Sequence, residues 1–363
     1  MKTNKLIVET KKLSQNIPCI LFSNCIPVKG YRRSIIYDST RSDFHFIPNS
    51  LYEILTTEKG KSLEEIKNAH ENKYDETIDE YFRFLFENEL VFFCNQPEVF
   101  PDLSLEWKTP SGILQAVIDF NGSTKHDLKK ISKELCSFNC KNLQLRFFDS
   151  VDYKKLSEIL ETFKYSTLKG IEILMPFNEH ITGNDFNELV KKHPRITYIE
   201  IFNAPNHTGN TESNINISYS HNNIPDETSC GIIDRSLFAL RFFNICESQE
   251  HNTCLNRKIG IDVKGEIKNC PSMNKSFGNT KDTSLQEAIE RQGFKDVWFI
   301  HKDQIDVCKD CEFRHMCTDC RAYLKDQSDI YSQPKKCNYN PYIAKWDDED
   351  GYVTVEEWRD NIK

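Results

Sequence analysis

Cys308-Lys-Asp-Cys311-Glu-Phe-Arg-His-Met-Cys317-Thr-Asp-Cys320 places four cysteines in thirteen residues, with Cys254 and Cys270 before it and Cys337 after it. Seven thiols from residue 254 onward are more than packing requires. A thiolate binds soft metals strongly, and a CxxC turn aims two sulfurs at one inorganic centre, so this density points to iron–sulfur or zinc. Counting separates the two. A 4Fe–4S cluster takes four thiolates, so seven cysteines fill one cluster and leave three for a second, whose remaining iron is open or otherwise ligated. Structural zinc ribbons separate their two CxxC pairs by about 15–20 residues, whereas five residues separate Cys311 from Cys317. The spacing favours iron, and zinc is the alternative.

Such thiols belong in a reducing compartment. The apolar run near the first residue is too short for a signal segment, and no apolar stretch of about 18 residues follows, so a cytoplasmic protein with no membrane partner is expected. Residues are 38% hydrophobic and 12% aromatic in a chain of 363, enough for two or three cored domains. A net charge of −8 gives no footprint for nucleic acid.

Outward from the cysteines the chain reads as an α/β multidomain protein in three regions. Residues 19–23, 32–37 and 43–47 are β-rich segments between polar connections, predicting a three-stranded sheet. Ser62-Leu-Glu-Glu65 is a capping box, Ile78, Tyr81, Phe82, Leu85 and Phe86 mark the apolar face of a longer helix, and residues 90–93 predict a closing strand. This order resembles the winged-helix-like recognition element of ribosomally synthesised, post-translationally modified peptide (RiPP) systems, placed over residues 1–95. The resemblance implies binding of a precursor peptide by strand addition, with Asp43–Ile47 as the edge and residues 79–86 as the adjacent helix. Phe44, Phe46, Tyr81 and Phe82 are the candidate peptide-binding side chains; each also reads as an ordinary core aromatic.

Residues 96–111 carry prolines and read as a linker. Strand-like runs follow at 113–120, 143–148, 171–175 and 196–202, with a weaker fifth at 215–219. Helical patterns on Leu128, Ile131 and Leu135, on Leu156, Ile159, Leu160 and Phe163, and on Phe186, Leu189 and Val190 lie between them. This alternation predicts a parallel sheet, open or as a partial βα barrel, over residues 112–245.

From residue 246 to 345 the tail supplies a hairpin turning at Gly265 that delivers Cys270, a helix over 284–292, and the Cys308–Cys337 set. This resembles the SPASM domain of peptide-modifying radical S-adenosylmethionine enzymes, with one departure: two residues, not three, separate Cys317 from Cys320. The resemblance implies that Cys308, Cys311, Cys317 and Cys337 ligate one auxiliary 4Fe–4S cluster and that Cys254, Cys270 and Cys320 hold a second. Its fourth ligand is left open among Cys246, Asp319, His315, a substrate group and water.

The central region resembles the radical S-adenosylmethionine barrel without its CxxxCxxC motif. Its first strand runs into Asn121-Gly-Ser-Thr-Lys-His126 with no cysteine, and Cys136-Ser-Phe-Asn-Cys140 reads as a pair of buried thiols. Cleavage of S-adenosylmethionine by this chain alone is therefore not expected. The whole layout resembles the SPASM-domain peptide maturase of grasp-with-spasm systems, carried by residues 309–323 and 336–342, which implies a precursor peptide and an ATP-grasp ligase as partners. Two other readings compete: a zinc-stabilised adaptor, and a redox enzyme acting through the open iron of the second cluster. The acidic stretch after Trp346 imitates a calcium loop, but Thr354-Val-Glu-Glu357 reads better as a capping box opening a helix in the 346–363 tail.

Overall fold

The computed structural model describes residues 15–205 and 216–362. Residues 1–14 of the expected peptide-binding module, residue 215 of the expected fifth strand and residue 363 of the tail lie outside them. The first region contains β1 (Cys19–Leu21), β2 (Cys25–Val28), β3 (Ser34–Asp38), β4 (Asp43–Ile47), α1 (Asn49–Thr57), α2 (Leu63–Ala69), α3 (Asp75–Glu87) and β5 (Val91–Phe93). A three-stranded antiparallel sheet runs β2-β3-β4, with β4 at one edge.

The expected first strand is displaced. Cys19–Leu21 pairs with β5 in a separate two-stranded sheet, and Cys25–Val28 takes its place beside β3. Phe22 N–H donates to Leu90 O at 3.0 Å and Cys25 N–H to Phe22 O at 2.8 Å, so a turn at 22–25 parts the two runs. Pro27 hid the second strand, because proline lacks a ladder donor; an edge position tolerates it. Ser62 caps α2 in a full capping box with Glu65. On α3, Ile78, Phe82 and Leu85 are buried against Leu51, Ile54, Leu63 and Ile66, the stripe that 3.6-residue periodicity demands.

The second region comprises β6 (Gln115–Phe120), α4 (Leu128–Ser137), β7 (Asn142–Phe147), α5 (Tyr153–Thr162), β8 (Gly170–Pro176), α6 (Gly183–Lys192), β9 (Ile196–Phe202) and β10 (Asn216–Tyr219). The tail adds α7 (Phe242–Ser248), β11 (Lys258–Ile261), β12 (Ile267–Lys268), α8 (Leu285–Glu290), β13 (Tyr339–Asn340), β14 (Lys345–Trp346) and α9 (Val355–Asn361), the last opened by the Thr354–Glu357 capping box. One open sheet runs β10-β9-β8-β7-β6-β11-β12, parallel except for β12. Strands β6 to β10 stand in chain order, so right-handed crossovers step one way and stack α4, α5 and α6 on a single face.

That face is apolar: Ala116, Ile118, Leu143, Leu145, Ile171, Ile173, Ile199 and Ile201 bury against Ile131, Leu135, Leu156, Leu160, Phe186 and Leu189. Strand β11 comes from the cysteine-rich tail, yet it pairs with β6 from Lys258↔Gln115 to Ile261↔Ile118. The tail therefore completes the central sheet. Gly265 turns the β11–β12 hairpin at φ +87°, a conformation glycine adopts without strain. The linker is packed down: Leu105 lies against the core shared by the first region and the tail, and the Trp107 ring stands 5.5 Å from that of Phe243. Among the described residues no helix is long and apolar enough to cross a membrane.

Candidate metal centres

Cys308 opens a tight turn in which Cys311 N–H donates to Cys308 O at 3.0 Å, and Cys317 N–H donates to Phe313 O at 3.0 Å. Val307, immediately before, is held at φ +66°, a strained conformation for a β-branched residue. These turns bring Cys308, Cys311 and Cys317 to one cavity, where Cys337 joins them beside Phe238, Phe313 and Trp346. All four thiols are pushed above their ordinary range by burial, Cys308 to about 11. The cation among them is Lys302, with Nζ 3.5 Å from Cys317 Sγ, 3.9 Å from Cys308 Sγ and 3.4 Å from the Asp319 carboxylate. Thiols so buried become thiolates only where positive charge meets them, and a metal centre supplies that charge. This donor set fits an iron–sulfur cluster.

A second group forms around Cys254. Asn252 Oδ1 accepts from Cys254 N–H at 3.0 Å and Leu255 N–H at 2.8 Å, fixing the turn that presents the thiol. Lys258, itself buried, reaches Cys254 Sγ at 3.6 Å, and burial lifts that thiol to about 12. Cys270 and Cys320 lie within electrostatic reach of Cys254. So does Cys230.

Two of the side chains offered as fourth ligand, Asp319 and His315, are engaged elsewhere. Asp319 takes Arg321 at 2.8 Å and Asn252 at 2.5 Å besides Lys302. His315 Nδ1 is 3.0 Å from Ser248 Oγ, and burial lowers the ring to about 4. Cys246 is buried on α7. Among the described residues no three His, Cys, Asp or Glu side chains are gathered tightly enough to hold a single ion; in a cluster each thiolate binds its own iron.

Residues 253–312 match the SPASM family, described as an iron–sulfur cluster-binding domain. The tail carries a SPASM domain. The match spans Cys254, Cys270, Cys308 and Cys311. None of the curated proteins matches this chain. Among solved structures it is similar to Streptococcus suis SuiB bound to S-adenosylmethionine, at 10% identity over 87% of this chain and 99% of that one, TM-score 0.29. It is similar to SuiB alone at 12% identity over 88% and 99%, TM-score 0.30. It is also similar to SuiB bound to its precursor peptide SuiA at 9% identity over 87% and 99%, TM-score 0.30. Superpositions this loose transfer no residue roles.

Beside the SPASM domain lies the second face of the sheet, and it is polar. Register places Asp119 beside Arg146 and Leu174 beside Glu200 in one row, and Val117, Gln144, Glu172 and Tyr198 in the next. Asp119 and Arg146 make a buried two-bond ion pair at 2.7 and 2.8 Å. Burial costs both partners, but the paired geometry keeps Arg146 charged. Gln144 donates to Glu172 at 3.1 Å, and burial raises Glu200. Parallel sheets ordinarily have both faces covered by apolar residues. Which face stays polar is decided by where the helices stack. The β6–α4 turn has no cysteine and is tied to the hairpin by Thr124 Oγ1 donating to Val263 O at 3.1 Å. Cys140 is buried as expected, whereas Cys136, in the last turn of α4, is only half-buried.

The first region docks on the cluster loop of the SPASM domain. Tyr31 N–H donates to Asp310 O at 2.7 Å, and Arg33 Nε donates to the buried Glu312 carboxylate at 2.7 Å. Arg314 donates to Lys29 O. Gly30 is required there: a Cβ would stand 2.3 Å from Arg33 O and 2.9 Å from Glu312 Cβ. Of the candidate peptide-binding aromatics, Phe44 and Phe46 stand edge-on to Phe313, with centroids at 5.6 and 5.9 Å. Phe82 is buried in the core under the helices. Tyr81 packs on that core with its hydroxyl 2.7 Å from Ser50 Oγ. The four are thus split between two environments, and β4 remains the outer strand of its sheet.

Proposed function

We propose that this chain is an iron–sulfur SPASM-domain maturase or accessory protein of RiPP biosynthesis, binding a precursor peptide and acting with an ATP-grasp ligase. The observation that carries the reading is the meeting of Cys308, Cys311, Cys317 and Cys337 around one buried cavity, in a tail matching a cluster-binding domain. These four residues would hold one 4Fe–4S cluster, and Cys254, Cys270 and Cys320 would hold a second. Bound clusters of this kind supply one-electron transfer or, at an open iron, a Lewis-acid position. The chain's own contribution is to bury the thiols, set Lys302 and Lys258 beside them, and lock the Cys311–Cys317 loop to the first region.

Peptide capture is assigned to residues up to 95, a scaffold sheet to 112–245 and metal binding to 246–345. The outer edge of β4 supports capture by strand addition, because an edge strand offers donors and acceptors to an extended peptide. Phe44 and Phe46 tie that edge to Phe313, so a peptide strand added there would run past the cluster loop.

Anaerobic protein is expected to contain roughly eight irons and eight sulfides, the complement of two 4Fe–4S clusters. Stoichiometric zinc without sulfide refutes the iron reading. The mass of a precursor peptide co-expressed with its ligase, with and without this chain, tests the maturation role. An unchanged product in the chain's absence refutes it.

A further inference from the structure

We propose that Cys230 supplies the fourth thiolate of the group formed by Cys254, Cys270 and Cys320, so that the second centre is held entirely by cysteine and leaves no open iron. The inference rests on the metal-binding reading above and removes the alternative of substrate chemistry at an open position.

Cys230 is positioned by the tail. Ser272 Oγ donates to Glu227 O at 3.0 Å, and Lys336 Nζ donates to both Thr228 O and Cys230 O at 2.6 Å. Beyond the cysteine, Ile233 bridges to Cys337 of the first centre. The main chain on each side of Cys230 is thus pinned to residues that flank the two cysteine groups.

Gly231 shows how close the approach is. Its φ is +85°, and a Cβ there would stand 2.9 Å from Cys320 Sγ and 3.1 Å from the Tyr323 ring. Glycine satisfies both demands at once. It lets the backbone turn and lets residue 231, next to Cys230 in the chain, come against the Cys320 sulfur. Lys258 is buried with its Nζ turned to Cys254, a cation placed where thiolates accumulate. With Asp319 and His315 hydrogen-bonded elsewhere and Cys246 buried on α7, Cys230 completes the set.

The residue is exposed, which makes the test sharp. A free exposed thiol alkylates at least as fast as the half-buried Cys94 and Cys136. Anaerobic holoprotein is treated with iodoacetamide and each cysteine read by peptide mass spectrometry, before and after the metal is stripped. Cys230 is expected to react at least tenfold more slowly than Cys136 in holoprotein and to catch up on stripping. In a second arm, Cys230→Ala is oxidised with ferricyanide. It is expected to lose one iron and show a 3Fe–4S electron paramagnetic resonance signal that the parent protein lacks, and to bind carbon-13 cyanide when reduced. Equal alkylation of Cys230 and Cys136 in holoprotein overturns the proposal, as does cyanide coupling in the parent. A zinc protein with Cys230 protected would refute the iron assignment and uphold this ligand; an iron protein with Cys230 reactive would do the reverse.

Discussion

The Arg33–Glu312 pair joins the first region to the cluster loop, and truncating it yields a defined loss. The Glu312 side chain is 0% exposed and that of Arg33 31% exposed, with Nε to Oε1 at 2.7 Å. Tyr339 hydroxyl donates to the same carboxylate oxygen, and the Arg33 guanidinium lies 3.6 Å over the Phe46 ring. Removing one partner of a fully buried pair costs about 3–5 kcal/mol; here water reaches the vacated Arg33 site, so about 2–3 kcal/mol is expected for Arg33→Ala. Glu312→Gln keeps the shape and loses the charge, and the coupling between the two changes should be about 1.5–2.5 kcal/mol, as for hydrogen bonds to charged groups. The cycle is measured by anaerobic urea denaturation of Arg33→Ala, Glu312→Gln and the double variant, followed by tryptophan fluorescence. Trp346 reports on this junction because its ring packs 6.3 Å from that of Phe313. Effects that add to within about 0.3 kcal/mol would show that the two side chains act independently and refute the argument that this contact holds the module to the SPASM domain.

Cys308→Ala and Cys311→Ala are each expected to remove about half the iron, since one of the two proposed clusters would be lost; retention of the full complement by iron analysis excludes them as ligands. Lys302→Met removes a buried cation beside Cys308 and Cys317 and should shift a cluster potential to more negative values, because reduction adds negative charge; an unchanged or raised potential in redox titration contradicts the charge-balancing role. Reduced protein given S-adenosylmethionine should form no 5′-deoxyadenosine above background, and Cys136→Ala and Cys140→Ala should keep their iron while costing about 1 kcal/mol each in packing; nucleoside formation abolished by those two changes would restore a radical enzyme. Burial pushes the Asp38 carboxyl up, but the Arg41 side chain and the Arg41 and Thr40 backbone N–H groups together hold it below its ordinary range. Its stabilising effect is therefore full above the unfolded value of about 3.9 and lost as pH falls through the lower folded value. Asp38→Asn should be less stable than the parent at pH 6, with the gap closing as pH falls through the folded value of Asp38; a gap independent of pH in denaturation midpoints counters this.

Local chemistry made much of the chain readable. The capping boxes at Ser62 and Thr354 opened helices as expected because their bonds close within four residues. Apolar periodicity marked the strands and helices of the central sheet, since burial of one face repeats along each element. The cysteine spacing around 308–320 announced a thiolate centre because a CxxC turn is itself a local structure.

Other features needed distant segments to meet. Pro27 masked β2, whose place is decided by its pairing with β3 rather than by its own propensity. The sixth parallel strand came from the tail, 143 positions after its partner in the Ala116↔Ile259 pairing, and no local pattern encodes that pairing. Cys230 reads as one more isolated thiol, and Lys258 and Lys302 as ordinary surface lysines. From the sequence alone, then, come the element types and the metal-binding chemistry, because residues near in the chain dictate both. Only the tertiary structure decides which cysteines share a site, which lysines are buried beside them and which strand is left at an edge, because those are set by the packing of elements far apart in the chain.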